Sequence, residues 1–322
     1  MTLLRWISQH LVTSILIGMV SGFILGFLFD TSALRSYVTI LSFFMVYPMM
    51  VPLNYASLKE RGNLKLQWVT QAVNFIYLPF LAYLFGLWFF PDTLSYRLGL
   101  LLIALLPTSG MTVSWTVMAK GNVKEAIRMI VIGLILGGLL TPFMVNVYLG
   151  TTIDLQFTQI LSQIISIVFI PMTLGFLTQI MLKQRFGEAR FTQEIKTLFP
   201  PFSTFALVLL IALVMSLRAR IIANNPLIIM QLLIPLSLGY LVMMLSLHFL
   251  GTRLFNYEDR MAFMNGTMIR SLSVALAIAL SVFESGLEIS LIIALAYIIQ
   301  VQLAAGYVKW NVRRIRQVQP QS

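Results

Sequence analysis

Ten stretches of this chain run for about 20 residues with almost no charge, and that pattern limits the folds open to it. A helix rises about 1.5 Å per residue, so about 20 apolar residues cross a hydrocarbon core roughly 30 Å thick. The runs are Leu11–Phe29, Ser36–Leu58, Leu66–Pro91, Leu98–Ala119, Met129–Tyr148, Thr158–Leu182, Thr197–Leu217, Leu227–Leu250, Met261–Phe283 and Ile289–Val308. Of the 322 residues, 59% are hydrophobic and 10% charged, with mean hydropathy +0.89. A soluble domain is about a quarter charged. So much apolar surface cannot be hidden in one soluble core, and the chain is expected to be an all-α polytopic membrane protein. Only Arg5 precedes the first run, and no small-residue cleavage site follows it, so that run reads as a true span rather than a signal peptide.

Absences narrow the chemistry. With no cysteine, disulfides, iron–sulfur clusters and thiolate metal sites are excluded. The two histidines, His10 and His248, have no metal-ligand spacing. No nucleophile–base–acid set appears, so no enzyme, cofactor or metal centre is expected. The net charge of +11 comes from short basic clusters between the apolar runs. These read as topology signals rather than a nucleic-acid surface.

The charge count orients the chain. With ten spans, both termini and the loops after spans two, four, six and eight share one side, which carries 17 of the 22 basic residues. The opposite side carries Arg35, Arg97, Arg218 and Arg220. Positive residues stay inside, so both termini are expected in the cytoplasm and the chain in the cell inner (plasma) membrane. Five spans followed by five implies two inverted repeats, residues 1–153 and 154–312, with a polar cytoplasmic tail over 313–322. Inverted repeats with binding sites on broken helices characterise secondary transporters.

Two spans carry the marks of a break. The fourth contains Pro107, Thr108, Ser109, Gly110, Met111 and Thr112, where a proline removes a backbone donor and a glycine weakens the helix. The ninth contains Asn265, Gly266, Thr267, Arg270 and Ser271. They are the fourth spans of their halves, and the expected solute site lies where they cross. By contrast, the glycine ladder Gly18, Gly22 and Gly26 reads as plain helix packing.

Residues 107–122, Pro-Thr-Ser-Gly-Met-Thr-Val-Ser-Trp-Thr-Val-Met-Ala-Lys-Gly-Asn, resemble the fourth-span signature of the bile acid:sodium symporter superfamily. Met111 and Trp115 look most like its arsenite efflux branch, the arsenical-resistance-3 permeases. Gly266 to Ala279 is similar to the family's ninth span. The resemblance implies a ten-helix fold of panel and core domains, with spans four and nine unwound and crossing in the core. This chain departs from the pattern twice. Thr108 stands where arsenite permeases carry a cysteine, and Arg270-Ser271-Leu272 stands where sodium-coupled members carry an acid.

Arg270 is the sharpest residue, because a charge at mid-span costs roughly 2.5–3.5 kcal/mol even on a permissive insertion scale. Three roles are open to it: binding an anionic solute, filling the vacant sodium site as a fixed cation, or a purely structural place among carbonyls. The hydroxyls of Thr108, Ser109 and Thr112 either line a polar site or bond back to their own helix. The same choice applies to Asn265, Thr267, Ser271 and Ser273. Trp115 either stacks on solute or anchors packing. Asn54, Gln71 and Asn74 either line the cavity or act as glue between helices, and His248 is either a proton relay or an inert interfacial side chain. The expected partner is a small anionic solute, carried by alternating access without sodium coupling at the acidic site. Cysteine-free metalloid efflux, sodium-coupled organic anion symport and a non-transporting receptor are the competing readings.

Overall fold

The computed structural model describes residues 2–59, 62–150, 161–162 and 164–318. Among them there is no strand. In chain order the helices are α1 (Thr2–Gln9), α2 (Leu11–Leu28), α3 (Tyr37–Met50), α4 (Leu64–Phe89), α5 (Leu94–Leu105), α6 (Met111–Met118) and α7 (Val123–Leu149). There follow α8 (Ile165–Phe186), α9 (Glu188–Gln193), α10 (Phe199–Asn224), α11 (Leu227–Leu254), α12 (Tyr257–Met268), α13 (Leu272–Val282) and α14 (Gly286–Val318). Nine helical stretches among the described residues are long and apolar enough to cross a membrane, with α12 and α13 acting as one. The short helices α5 and α6 cover the fourth apolar run.

Contacts sort the helices into two groups. Helices α2, α3, α8 and α10 pack on one another, while α4 to α7 pack with α11 to α14. The glycine ladder explains the tightest seam of the first group. A Cβ on Gly22 would lie 2.1 Å from the Ala212 carbonyl oxygen, and one on Gly26 1.9 Å from that of Ser216. Only a missing side chain permits backbones this close. Gly18, Gly22 and Gly26 meet Val208, Ala212 and Ser216 in rising order, so α2 and α10 run parallel.

Two details differ from expectation. The tail assigned to 313–322 is helical as far as Val318, since α14 continues beyond the tenth apolar run; 319–322 lie outside the described residues, as do 151–160, where the sixth run begins. Basic residues in a last turn suit the negative end of a helix, which accounts for helix persisting through this polar segment. The acidic residues all lie outside the ten apolar runs and are expected in loops, yet Glu125 and Asp259 are buried in the first turns of α7 and α12. There they meet the positive helix ends, which is where carboxylates are stabilised.

Candidate functional site

The two breaks fall where the polar stretches are. Proline disfavours the helical region for the residue before it, and Leu106 has left the helix at φ −104°, ψ 83°. Thr108 follows in the left-handed region at φ 54°, which is rare for a β-branched residue and costs on the order of 1–3 kcal/mol. In the second break, Ile269 is extended at φ −91°, ψ 95°.

The breaks cross and bond to each other. The Ser109 N–H donates to the Ile269 carbonyl at 3.1 Å, and the Ser271 N–H donates to that of Leu106 at 2.9 Å. This reciprocal pair holds backbone groups that broken helices would leave unsatisfied. Side chains reinforce it. Thr108 Oγ1 donates to the Gly266 carbonyl at 3.1 Å, Thr112 Oγ1 to the Asn265 carbonyl at 3.3 Å, and Asn265 Nδ2 to Thr116 Oγ1 at 3.2 Å. Thr108, Ser109, Thr112, Asn265, Arg270 and Ser271 are therefore brought together, all buried. Thr267 bonds back to the Phe263 carbonyl of its own helix at 2.7 Å. Trp115 is half-buried on α6 and packs on the apolar core.

The crossing has two unlike faces. Toward one point the C-terminal ends of α5 and α12, whose last carbonyls have no partner within the helix and carry partial negative charge. Arg270 is folded into this face and is 1% exposed. Its Nε donates to the Ile103 carbonyl at 3.1 Å, Nη2 to that of Ala104, and Nη1 to the Thr267 carbonyl at 3.3 Å and to Asn74 Oδ1. Gln300 of α14 fixes the backbone at this point, accepting the Arg270 N–H at 2.8 Å and donating to its carbonyl at 3.2 Å. Tyr240 in turn donates to Gln300 Oε1 at 3.1 Å.

The opposite face presents the N-terminal ends of α6 and α13, which carry partial positive charge. Ser109, Ser271 and Ser273 lie at these ends, across from Met49 of α3 in the other helix group. Ser273 Oγ is 3.8 Å from Met49 Sδ, and the Met49 methyl lies 3.2 Å from the place of a Cβ on Gly110.

Gln300 is a partner of Arg270 that sequence reasoning did not find, and Asn74 is one of the polar residues it left between cavity lining and glue. Asn74 sits in a π-helical turn over Val73–Tyr77 of α4 and reaches both Arg270 and the Gly266 carbonyl. Such turns often occur at functional places. Gln71, one turn earlier, is buried, and neither end of its amide has a hydrogen-bond partner. Asn54 is exposed. His248 is tied to the Tyr307 hydroxyl at 2.9 Å.

A second polar cluster joins three helix starts. Asn63, Asn122 and Asn256 cap α4, α7 and α12, accepting from Leu66, Glu125 and Asp259 N–H groups. Asn63 and Asn122 both donate to the Asp259 carboxylate at 2.8 Å. Glu125 pairs with Arg128 at 2.7 Å and accepts from Gln67, and Arg128 Nε donates to the Ser57 carbonyl at 3.1 Å. At the other end of the molecule Arg218 of α10 lies 4.0 Å from Glu288 of α14. No three acidic or histidine side chains come together among the described residues.

A family model described as the sodium bile acid symporter family matches residues 39–225, more than half of the chain. The chain is 24% identical over 257 residues to an arsenical-resistance protein of Alkaliphilus metalliredigens, covering 73% of this chain and 71% of that protein. It is 22% identical over 290 residues to an uncharacterised transporter of Synechocystis, covering 83% and 76%. It is 26% identical over 254 residues to sodium/bile acid cotransporter 7 of Danio rerio, covering 71% and 73%.

Proposed function

Since the chain belongs to the sodium bile acid symporter family, we propose that it carries a small anionic solute by alternating access, with its own arginine standing where a coupling cation would bind. The observation that supports this is the oxygen cage around Arg270. Three backbone carbonyls and an amide oxygen surround the guanidinium, as they would surround a bound monovalent ion. The cage satisfies hydrogen bonds, but it supplies no full negative charge. A fixed positive charge therefore remains at the crossing, which opposes a sodium ion there and favours an anion nearby.

The fork of Arg270 is largely used up inside the protein, so the solute would sit on the other face. There the N-terminal ends of α6 and α13 aim N–H groups at it, with Ser109, Ser271 and Ser273 as additional donors. This face looks across to α3, so sliding one helix group past the other would open it alternately to the two sides. On this reading residues 1–153 and 154–312 are inverted repeats, and the reciprocal bonds of Ser109 and Ser271 fit such a relation.

The experiment is uptake of radiolabelled small organic and inorganic anions, arsenite included, into proteoliposomes in sodium or choline gluconate. The reading expects saturable anion transport equal in both salts and weakened at least tenfold by Ser271→Ala with Ser273→Ala. Transport that requires sodium would overturn it. Transport of neutral arsenite alone would favour metalloid efflux.

A further inference from the structure

A cavity of about 60 Å³ lies behind the crossing, on the Arg270 side, between α4, α5 and α11. Leu81, Phe85, Leu100, Gly239 and Tyr240 contribute to its largely apolar wall, and Arg270 is the charged residue in it. Toward one end of α11 a larger hollow of about 440 Å³ is lined by Phe89, Phe90 and Ile234 together with the polar Asp92, Thr93 and Gln231, and Pro235 lines both. The two therefore adjoin along α11, and the larger hollow brings some polar groups to the approach of the inner cavity.

The guanidinium has five N–H donors. Four are used, by Ile103, Ala104, Thr267 and Asn74. One is left, on a side chain that is 1% exposed and lines this cavity. Among the described residues no carboxylate pairs with it. A buried donor and a buried unbalanced charge both call for a partner.

Size and surface narrow the partner. A water needs roughly 10–15 Å³ and a drug-sized pocket begins near about 300 Å³, so this space holds a few heavy atoms. Water would satisfy the donor and leave the charge. A strongly hydrated ion would lose its shell against apolar walls. We infer that the cavity is a binding site for a small, weakly hydrated monoanion of halide or nitrate size, held by the remaining Arg270 N–H and by its charge. The site lies on the opposite face of the crossing from the proposed solute but draws on the same Arg270 charge, so an anion bound here lowers the field at the solute face; unfolding reports this site and uptake reports the other.

The test is thermal unfolding of the purified full chain as sodium gluconate is replaced by sodium chloride, bromide, nitrate or iodide at constant ionic strength. A ligand that binds only the native state raises the melting temperature by mass action. The expected result is a saturable rise of several degrees, larger for bromide, nitrate or iodide than for chloride. Gly239→Leu sends a side chain into the slot from a place where a Cβ meets only the Phe85 ring, at an ordinary 3.6 Å. It should fold and lose the anion response. Gly239→Ala, smaller still, should weaken the response if the leucine variant does not fold. No saturable response in the wild type, or an undiminished one in a folded Gly239→Leu protein, would overturn the inference.

Discussion

A single arginine sets the electrostatics of the crossing, and its environment makes its removal measurable. Arg270→Ala leaves the Ile103, Ala104 and Thr267 carbonyls and the Asn74 amide without their donor. An unsatisfied buried group costs about 1–3 kcal/mol, so the variant should lose about 3 kcal/mol or more in detergent unfolding. Its emptied oxygen cage should then take up sodium: the melting temperature of Arg270→Ala should rise in sodium over choline gluconate, while that of the wild type should not. Equal behaviour of the two proteins would refute the resident-cation reading. Thr108→Val keeps the β-branched shape but loses the bond to Gly266, and should cost about 1–2 kcal/mol by the same measurement. Arg270 and the hydroxyls around it are legible in the sequence, because charge and polarity in an apolar run announce themselves. The cage is not, because carbonyl oxygens have no residue identity. Only folding shows that the last turn of α5 meets Arg270, or that Asn74 and Gln300 complete the shell.

At the scale of helices, the breaks were legible because proline and glycine act locally. Leu106 leaves the helix for the reason its neighbour Pro107 supplies. The helix starts were legible only in part. Asn63, Asn122 and Asn256 are ordinary caps, but nothing near them in sequence says that two of them donate to the same carboxylate, Asp259. Asp259→Ala should therefore loosen α4, α7 and α12 together, seen as faster hydrogen exchange at all three starts. Exchange that changes in α12 alone would show that the caps act independently. The glycine ladder gives a graded expectation. Gly22→Ala and Gly26→Ala place a methyl within 2.1 Å and 1.9 Å of a backbone oxygen, so α2 and α10 must part, at a cost of about 1–3 kcal/mol or more. Gly18→Ala, whose Cβ would lie 3.0 Å from Val208 Cγ1, should cost less in the same unfolding assay.

At the scale of the molecule, charge count and fold agree on which loops share an end. The segments around Ser57, Asn63, Asn122 and Asp259 bond to one another, and all come from the side richer in basic residues. Tags on either terminus should be reached only from the cytoplasmic side of the membrane; a periplasmic signal would mean an odd number of crossings. Arg218 and Glu288 join the two helix groups at the other end. The chain has no cysteine, so Arg218→Cys with Glu288→Cys can be bridged without background by a reducible, disulfide-containing bis-maleimide. Locking that pair should stop transport and reduction should restore it; transport by the locked protein would show that this end need not open.

The buried arginine also bears on how the chain is made. In the most apolar 18-residue window of Tyr257–Val282, 94% of the residues are buried inside the protein, so the segment has little lipid face, and Arg270 penalises its partition into lipid. Leaving the translocon alone, it has only the Thr267 carbonyl of its own helix to answer its charge; the Ile103 and Ala104 carbonyls belong to α5, and Asn74 to α4, both synthesised long before. Biogenesis therefore has an order. The segment should insert poorly when fused by itself behind a reporter, and efficiently once residues 64–105 precede it. Glycosylation mapping of the two fusions distinguishes these outcomes, and equal insertion would show that the segment enters the membrane unaided.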